Sequence, residues 1–98
     1  MTRQKLHPVI HAPNRLRICA LLTPLDEAEF LMLRETIAVS DSVLSKHIKR
    51  LEDAGYVTMR KGAVNGRQRS WARLTGKGRQ AFAEHVAALQ GIAALAQG

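Results

Sequence analysis

Basic side chains are the residues of this sequence whose number and spacing could do chemistry, and they gather in one third of the chain. The segment from Lys46 to Arg79 holds ten of the 15 lysines and arginines but only two of the eight acids, Glu52 and Asp53. Its formal charge is therefore +8, whereas the rest of the chain, with five bases and six acids, carries −1. The ten are Lys46, Lys49, Arg50, Arg60, Lys61, Arg67, Arg69, Arg73, Lys77 and Arg79. Such segregation favours binding to a polyanion over a basic surface that serves solubility alone.

Histidine and cysteine side chains, which could bind a metal or take part in redox chemistry, are scattered along the sequence. His7 and His11 stand at i, i+4, a metal-ligand spacing, but no cysteine or carboxylate nearby completes a ligand set. We therefore predict no metal and no cofactor. Cys19 is the only cysteine, which excludes an intramolecular disulfide, and we interpret it as a packed residue rather than a redox sensor. His47 is interpreted as either a packing residue or a phosphate contact.

Enzymatic chemistry has no support in the spacing of residues. The glycine-containing stretch from Gly62 to Gly66 is predicted to join two strands, whereas a phosphate-binding loop joins a strand to a helix. No nucleophile stands beside a base at a recognisable spacing. We predict that the protein is not an enzyme.

The length and composition predict one domain over residues 1–98. With 46% hydrophobic residues and only four aromatics, the core must be lean and mainly aliphatic. Charges interrupt the apolar stretches well short of a membrane span, and no signal-peptide pattern opens the chain. We expect a cytoplasmic protein with no membrane partner.

Hydrophobic periodicity predicts three helices before residue 55. The first covers Arg15–Leu22 with Asn14 as its N-cap, and the second runs from about Asp26 to Ile37, with acids in its first turn. After a short turn, Ser40 caps a third helix that reaches Ala54.

Period-two alternation then predicts a β-hairpin. Its strands are Tyr56–Lys61 and Gln68–Leu74, and Asn65-Gly66 between them is a strong tight-turn signal. Thr75 caps a long final helix to about Ala96. Two helices joined by a tight turn and followed by a hairpin predict an α+β fold, mostly helical: a winged helix-turn-helix over 14–74, with a C-terminal helix over 75–98.

The third helix is predicted to present a polar, cationic face to DNA. Leu44, Ile48 and Leu51 form its inward stripe. The outward side chains near the entering end, the candidates for base edges, are Ser42, Ser45 and Lys46. Lys49 and Arg50 are candidates for phosphates.

The hairpin is predicted to act as a wing against the DNA. Arg67 and Arg69 flank the end of its turn and could enter a narrow minor groove, where negative potential attracts arginine. Arg60 and Lys61 would contact phosphates. Trp71 is interpreted as a brace for the wing.

Two segments carry a specific resemblance to a known family. Val39–Val57 (VSDSVLSKHIKRLEDAGYV) is similar to the recognition helix and first wing strand of MarR-type winged-helix regulators. Trp71–Gly78 (WARLTGKG) resembles their second wing strand and the start of the next helix. The resemblance covers roughly residues 6 to 90 and implies binding to double-stranded DNA, with repression as the commoner outcome. It is strongest to a short branch of the family, which lacks most of the terminal helices that form the effector pocket in longer members. The resemblance therefore does not imply that this chain binds an effector.

The final helix is predicted to hold a homodimer. Phe82, Val86, Leu89 and Ala93 form one apolar stripe that a single domain could cover, while Ala88, Ile92 and Leu95 occupy another sector. The residues predicted to form the dimer interface are Leu6, Val9, Ile10, Phe82, Val86, Leu89, Ile92 and Leu95. Two-fold pairing would place two recognition helices about one DNA turn apart, roughly 34 Å, on an inverted-repeat site.

These patterns together predict a sequence-specific regulator of transcription that binds duplex DNA as a homodimer. Two alternatives stay open at this point. A winged helix can serve as a protein-interaction module, in which case the basic charge would meet an acidic partner. It can also bind DNA architecturally, without sequence preference.

Overall fold

The computed structural model describes residues 5–98, so residues 1–4 of the predicted domain lie outside the described residues. In chain order the elements are α1 (Pro8–His11), α2 (Pro13–Leu22), β1 (Ala28–Glu29), α3 (Phe30–Ile37), α4 (Asp41–Asp53), β2 (Val57–Val64), β3 (Arg67–Leu74) and α5 (Gly76–Leu95). The strands form one antiparallel sheet in the order β1–β3–β2. This is the predicted α+β winged helix, mostly helical and ending in a long helix.

The core is built from aliphatic side chains, as the shortage of aromatics predicts. Its fully buried members come from four helices and the sheet: Ile10, Ile18, Leu22, Leu33, Leu44, Leu51 and Val57. Phe30, Tyr56 and Phe82 are partly buried and pack against this cluster. Because each buried aliphatic side chain contributes about 1.5–3 kcal/mol, the cluster fixes α4 against the rest of the domain.

A tight turn joins α3 to α4. Ala38 adopts a left-handed conformation with φ of 62°, and its N–H donates to the carbonyl of Arg34 at the end of α3. Ser40 then caps α4, because its Oγ accepts the N–H of Val43 at 3.2 Å. The predicted turn and cap are confirmed, and α3 and α4 form the helix-turn-helix.

The start predicted for the second helix is wrong. α3 begins at Phe30 rather than Asp26, because Ala28–Glu29 forms a short strand that pairs with Ala72 and Trp71 of β3. Ala28 is buried there, and its pairing covers an edge of the hairpin that would otherwise expose unpaired backbone groups. The acids of this segment therefore do not lie in a first helical turn.

The cap predicted for the first helix is also wrong. α2 begins at Pro13, with Ala12 at the N-cap position and no side-chain cap. Proline suits the first turn of a helix because its missing N–H has no helical partner there. Asn14 instead lies inside the helix, where its Oδ1 accepts a hydrogen bond from Arg17 at 3.0 Å.

The hairpin matches the prediction in position and extends further. β2 and β3 pair from Val57 opposite Leu74 to Val64 opposite Arg67. The turn residues Asn65 and Gly66 both have positive φ, 52° and 76°, as a two-residue turn of type I′ requires.

Helix α5 packs through small residues, and the sector predicted for its buried face is wrong. Thr75 caps the helix as predicted, accepting the N–H of Gly78 at 2.9 Å. The buried residues are Gly78, Ala81, His85 and Ala88, whereas Phe82, Val86 and Leu89 are half-buried and Ala93 is exposed. The close approach explains the difference, since a Cβ on Gly78 would lie 2.1 Å from the carbonyl oxygen of Tyr56.

His85 joins α5 to the N-terminal segment. Its Nδ1 accepts the backbone N–H of His7 at 2.9 Å, and its Nε2 lies 3.3 Å from Nδ1 of His11. His7 in turn faces the Glu84 carboxylate at 3.6 Å and the Tyr56 hydroxyl at 3.5 Å. Three histidines that are scattered in the sequence therefore meet, and they fasten α1 onto α5.

Candidate nucleic-acid interface

Helix α4 separates a buried stripe from a polar outer face. Leu44, Ile48 and Leu51 are buried in the core, at the positions that the helical period assigns to them. The opposite side chains are all exposed: Ser42, Ser45, Lys46, Lys49 and Arg50. The helix therefore presents two hydroxyls and three cations on a surface that nothing else in residues 5–98 covers.

Two acids of α4 itself, one at each end of the helix, form ion pairs. Lys49 pairs with Asp53 at 3.0 Å, one turn later on the same helix. Asp41, in the first turn, pairs with Arg34 of α3 at 2.7 Å. None of the ion pairs within residues 5–98 involves Lys46 or Arg50, so two of the three cations on the outer face keep their full positive charge.

An open cleft of about 530 Å³ runs along this outer face and includes a residue from another helix. Its lining consists of Arg15, Ser45, Lys46, His47, Lys49 and Arg50. Arg15 belongs to α2 and was not among the candidate residues in the sequence. No pattern along α2 singles it out, because its proximity to α4 exists only in the fold.

Arg15 and His47 contact each other beside the cleft. Arg15 Nε donates to the carbonyl of Val9, and one Nη lies 3.2 Å from His47 Nδ1. Burial and the Arg15 charge lower the pKa of His47, so the imidazole is neutral at pH 7. Burial, together with the charge of Arg50, lowers the pKa of Arg15 as well.

Two cations of the wing are tied to the body of the domain. Arg60 pairs with Glu27 at 2.6 Å and lies over the Trp71 ring, 4.0 Å from its centroid. Its hydrogen bond lowers the pKa of the Glu27 carboxyl. Arg69 pairs with Glu29 at 2.8 Å. Both are therefore partly neutralised, and Trp71 stacks under Arg60.

The other two wing candidates are open to solvent. Lys61 and Arg67 are exposed, and neither takes part in an ion pair within residues 5–98. Arg67 opens β3 directly after the turn, so it stands at the tip of the hairpin. The four cations predicted for the wing thus divide into two that pair with Glu27 and Glu29 and two that take part in no ion pair within residues 5–98.

Cys19 is buried in α2. Burial raises the pKa of its thiol to about 11, which keeps the thiol protonated at neutral pH. A reactive thiolate is not formed there.

Within residues 5–98, no group of three histidine, cysteine or acidic side chains is arranged to hold a metal ion. No helix in that range is long and apolar enough to cross a membrane.

The residues predicted for the dimer interface divide into buried and exposed sets. Ile10 is fully buried in the core of its own domain, and Val9 and Phe82 pack against that core. Leu6, Ile92 and Leu95 are 42%, 52% and 80% exposed. The last turns of α5, from residue 91 onward, are exposed on every side.

Comparisons with known proteins agree with this geometry. A family model described as a winged helix DNA-binding domain matches residues 14–93. An uncharacterized protein of Methanocaldococcus jannaschii is 38% identical over 78 residues, covering 80% of this chain and 85% of its own. The structure of a transcriptional regulator homologue from Pyrococcus horikoshii superposes with a TM-score of 0.80 at 25% identity, covering 87% of this chain and 84% of that one.

A zinc-responsive MarR family member of Lactococcus lactis shares the fold, with a TM-score of 0.62 at 19% identity over 86% of this chain and 57% of its own.

Proposed function

Because the chain belongs to the winged helix DNA-binding domain family, we propose that it is a sequence-specific regulator of transcription that binds duplex DNA as a homodimer on an inverted repeat. The observation that carries this proposal is the exposed outer face of α4 opposite a buried stripe, with hydroxyls and with Lys46 and Arg50 in no ion pair within residues 5–98. A helix with this division can enter the major groove, which is roughly 12 Å wide, without disturbing the core.

The proposed docking assigns different tasks along α4. Ser42, Ser45 and Lys46 lie in the first half of the helix, which enters the groove first, and they contact base edges. Lys49 and Arg50 lie one turn later, where the helix leaves the bases and passes the backbone, and they contact phosphates. Base contacts supply sequence preference, and phosphate contacts supply affinity and register.

The wing would add contacts beside the groove. Lys61 and Arg67 are exposed and take part in no ion pair within residues 5–98, and Arg67 at the tip of the hairpin could reach an adjacent minor groove. Arg60 and Arg69 contribute positive potential while their ion pairs to Glu27 and Glu29 hold the hairpin in position. The wing would therefore approach DNA as a rigid element.

The homodimer is supported by the exposed apolar surface of α5. Val86 and Leu89 are half-buried, and they continue into the exposed Ile92 along one side of the helix. At 1.5 Å per residue, the 20 residues of α5 extend about 30 Å. The helix thus reaches past its own domain, where a second copy of the same helix would cover its apolar side.

The protein would act as a repressor, and its compartment would be the cytoplasm. A dimer seated on an inverted repeat excludes other proteins from that stretch of duplex, and the buried, protonated thiol of Cys19 suits a reducing compartment.

Selection from random duplexes, followed by sequencing, tests the proposed function. We expect enrichment of an inverted repeat whose half-sites are about 10 base pairs apart, centre to centre. Binding without any enriched motif would instead support architectural binding. Absence of binding to every duplex at low salt would leave the protein-interaction module as the better account.

A further inference from the structure

We propose that Arg15 of α2, together with His47 of α4, forms a binding site for a DNA backbone phosphate beside the recognition helix. The inference rests on the proposed function, since the phosphate belongs to the duplex that α4 enters. It extends the DNA interface to a helix outside the helix-turn-helix and the wing. The ligand class is a phosphodiester monoanion.

The geometry holds the Arg15 guanidinium in place before any ligand arrives. Nε is hydrogen-bonded to the Val9 carbonyl, and one Nη is hydrogen-bonded to His47 Nδ1 at 3.2 Å. None of the hydrogen bonds within residues 5–98 uses the second Nη. A guanidinium fixed at two points and open at the third loses little side-chain freedom when it binds an anion.

The same contact determines which ring nitrogen of His47 carries the proton. A guanidinium can only donate, so Nδ1 of His47 must be the acceptor. In the neutral ring the hydrogen then resides on Nε2, which becomes an N–H donor. Arg15 and His47 would therefore present two donors to one phosphate, only one of which is charged.

The electrostatics of the cleft favour an anion at this position. None of the ion pairs within residues 5–98 involves Arg15 or Arg50, and the charge of Arg50 contributes to lowering the pKa of Arg15. This repulsion between cations is relieved when an anion lies between them. Arg15 and His47 are both half-buried, which reduces the screening of this attraction by solvent.

The position of the cleft identifies duplex DNA, rather than a free anion, as the source of the phosphate. The other residues lining it are Ser45, Lys46, Lys49 and Arg50, the outer face of α4 itself. A duplex whose major groove holds that face necessarily brings its backbone along the side of the helix. Arg15 lines the cleft beside that face.

The test compares Arg15→Gln with the matched variant Arg17→Gln. Arg17 lies on the same helix, is exposed, and contacts Asn14 rather than α4. We expect Arg15→Gln to weaken binding to specific and random duplexes equally, roughly 3- to 10-fold, and to lower the slope of log K against log salt by about 1. Arg17→Gln should change neither quantity.

Two further variants test the donor assigned to His47. Glutamine can place an amide N–H where Nε2 lies, so His47→Gln should keep most of the affinity that His47→Ala loses. Thermal unfolding of each variant without DNA separates loss of a contact from loss of the fold. Equal affinities for the glutamine and alanine variants, at equal stability, would overturn the assignment.

The remaining outcomes separate this inference from the proposed function. If the wild-type chain binds DNA and Arg15→Gln behaves like Arg17→Gln, the phosphate site is refuted while the proposed function stands. If the wild-type chain binds no duplex, the proposed function fails first. A last experiment adds inorganic phosphate to the thermal unfolding measurement. If phosphate stabilises the wild-type chain but not Arg15→Gln, and both bind DNA equally, the site binds a free anion rather than DNA.

Discussion

Lys46 is the residue on which sequence preference would depend most. It lies in the middle of the outer face of α4, and no acid within residues 5–98 neutralises it. We expect Lys46→Ala to weaken binding to the selected site more than binding to random duplex, by about 1–3 kcal/mol of discrimination. Competition titrations measure the difference. If the substitution weakened binding to both duplexes equally, Lys46 would be a phosphate contact rather than a base contact.

Gly78 is the residue at which one added carbon is most damaging to the fold. Its Cβ would lie 2.1 Å from the backbone oxygen of Tyr56, which no side-chain rotation can relieve. We expect Gly78→Ala to lower the free energy of unfolding by about 1–3 kcal/mol, the usual cost of overpacking. Gly76→Ala is the control, because its Cβ would meet nothing within 4 Å. Urea unfolding of both variants would contradict the idea if their midpoints were equal.

At the scale of elements, the attachment of α1 to α5 should depend on pH. Burial first, and then the rings of His11 and His7, lower the pKa of His85 below its ordinary value. The folded state therefore favours the neutral ring, and the unfolded chain takes up the proton at a higher pH. This contribution to stability is fully present above about pH 6.5 and is lost as the pH falls below that value.

Thermal unfolding between pH 7.5 and pH 5.5 measures this linkage. We expect the melting temperature of the wild-type chain to fall over that interval, and to fall less in His85→Gln. His47 contributes in the same direction, because burial and Arg15 lower its pKa too. His47→Gln, measured alongside His85→Gln, gives the size of that separate contribution. If the melting temperature fell equally in the wild type and in His85→Gln, a group other than His85 would be responsible for the pH dependence of stability.

The elements predicted from the sequence were those that local rules determine. Ser40 and Thr75 cap their helices, Asn65-Gly66 forms the turn, and the period of Leu44, Ile48 and Leu51 places the core side of α4. The winged helix expected from the two motifs is confirmed.

What the sequence could not show depends on partners distant along the chain. The strand β1 exists because Ala28 and Glu29 find β3 more than 40 residues later. His85 is buried because it accepts a hydrogen bond from His7, and Arg15 reaches α4 only through the packing of α2. The hydrophobic periodicity of a single helix or strand carries no information about these long-range contacts.

At the scale of the whole molecule, the apolar side of α5 should determine the oligomeric state. Ile92 and Leu95 are 52% and 80% exposed, and burying them against a second α5 would stabilise a dimer. We expect Ile92→Glu combined with Leu95→Glu to give a monomer by sedimentation at micromolar concentration. Gln90→Glu combined with Gln97→Glu adds the same charge on exposed positions of this region and should leave the dimer intact. A wild-type chain that already sediments as a monomer would refute the proposed interface.

The joint between α4 and α5 consists largely of backbone. Tyr56 accepts the N–H of Thr75 at 3.0 Å, the Thr75 hydroxyl donates to the carbonyl of Gly55 at 2.7 Å, and Gly78 lies directly against Tyr56. The backbone hydrogen bond and the close approach of Gly78 have no rotamers through which the angle between the two helices could adjust. In the proposed dimer, the separation between the two recognition helices would then be a fixed length, set by α5 rather than by the DNA. Such a protein would act as a molecular ruler, rejecting a site with correct half-sites when a single base pair is inserted between them.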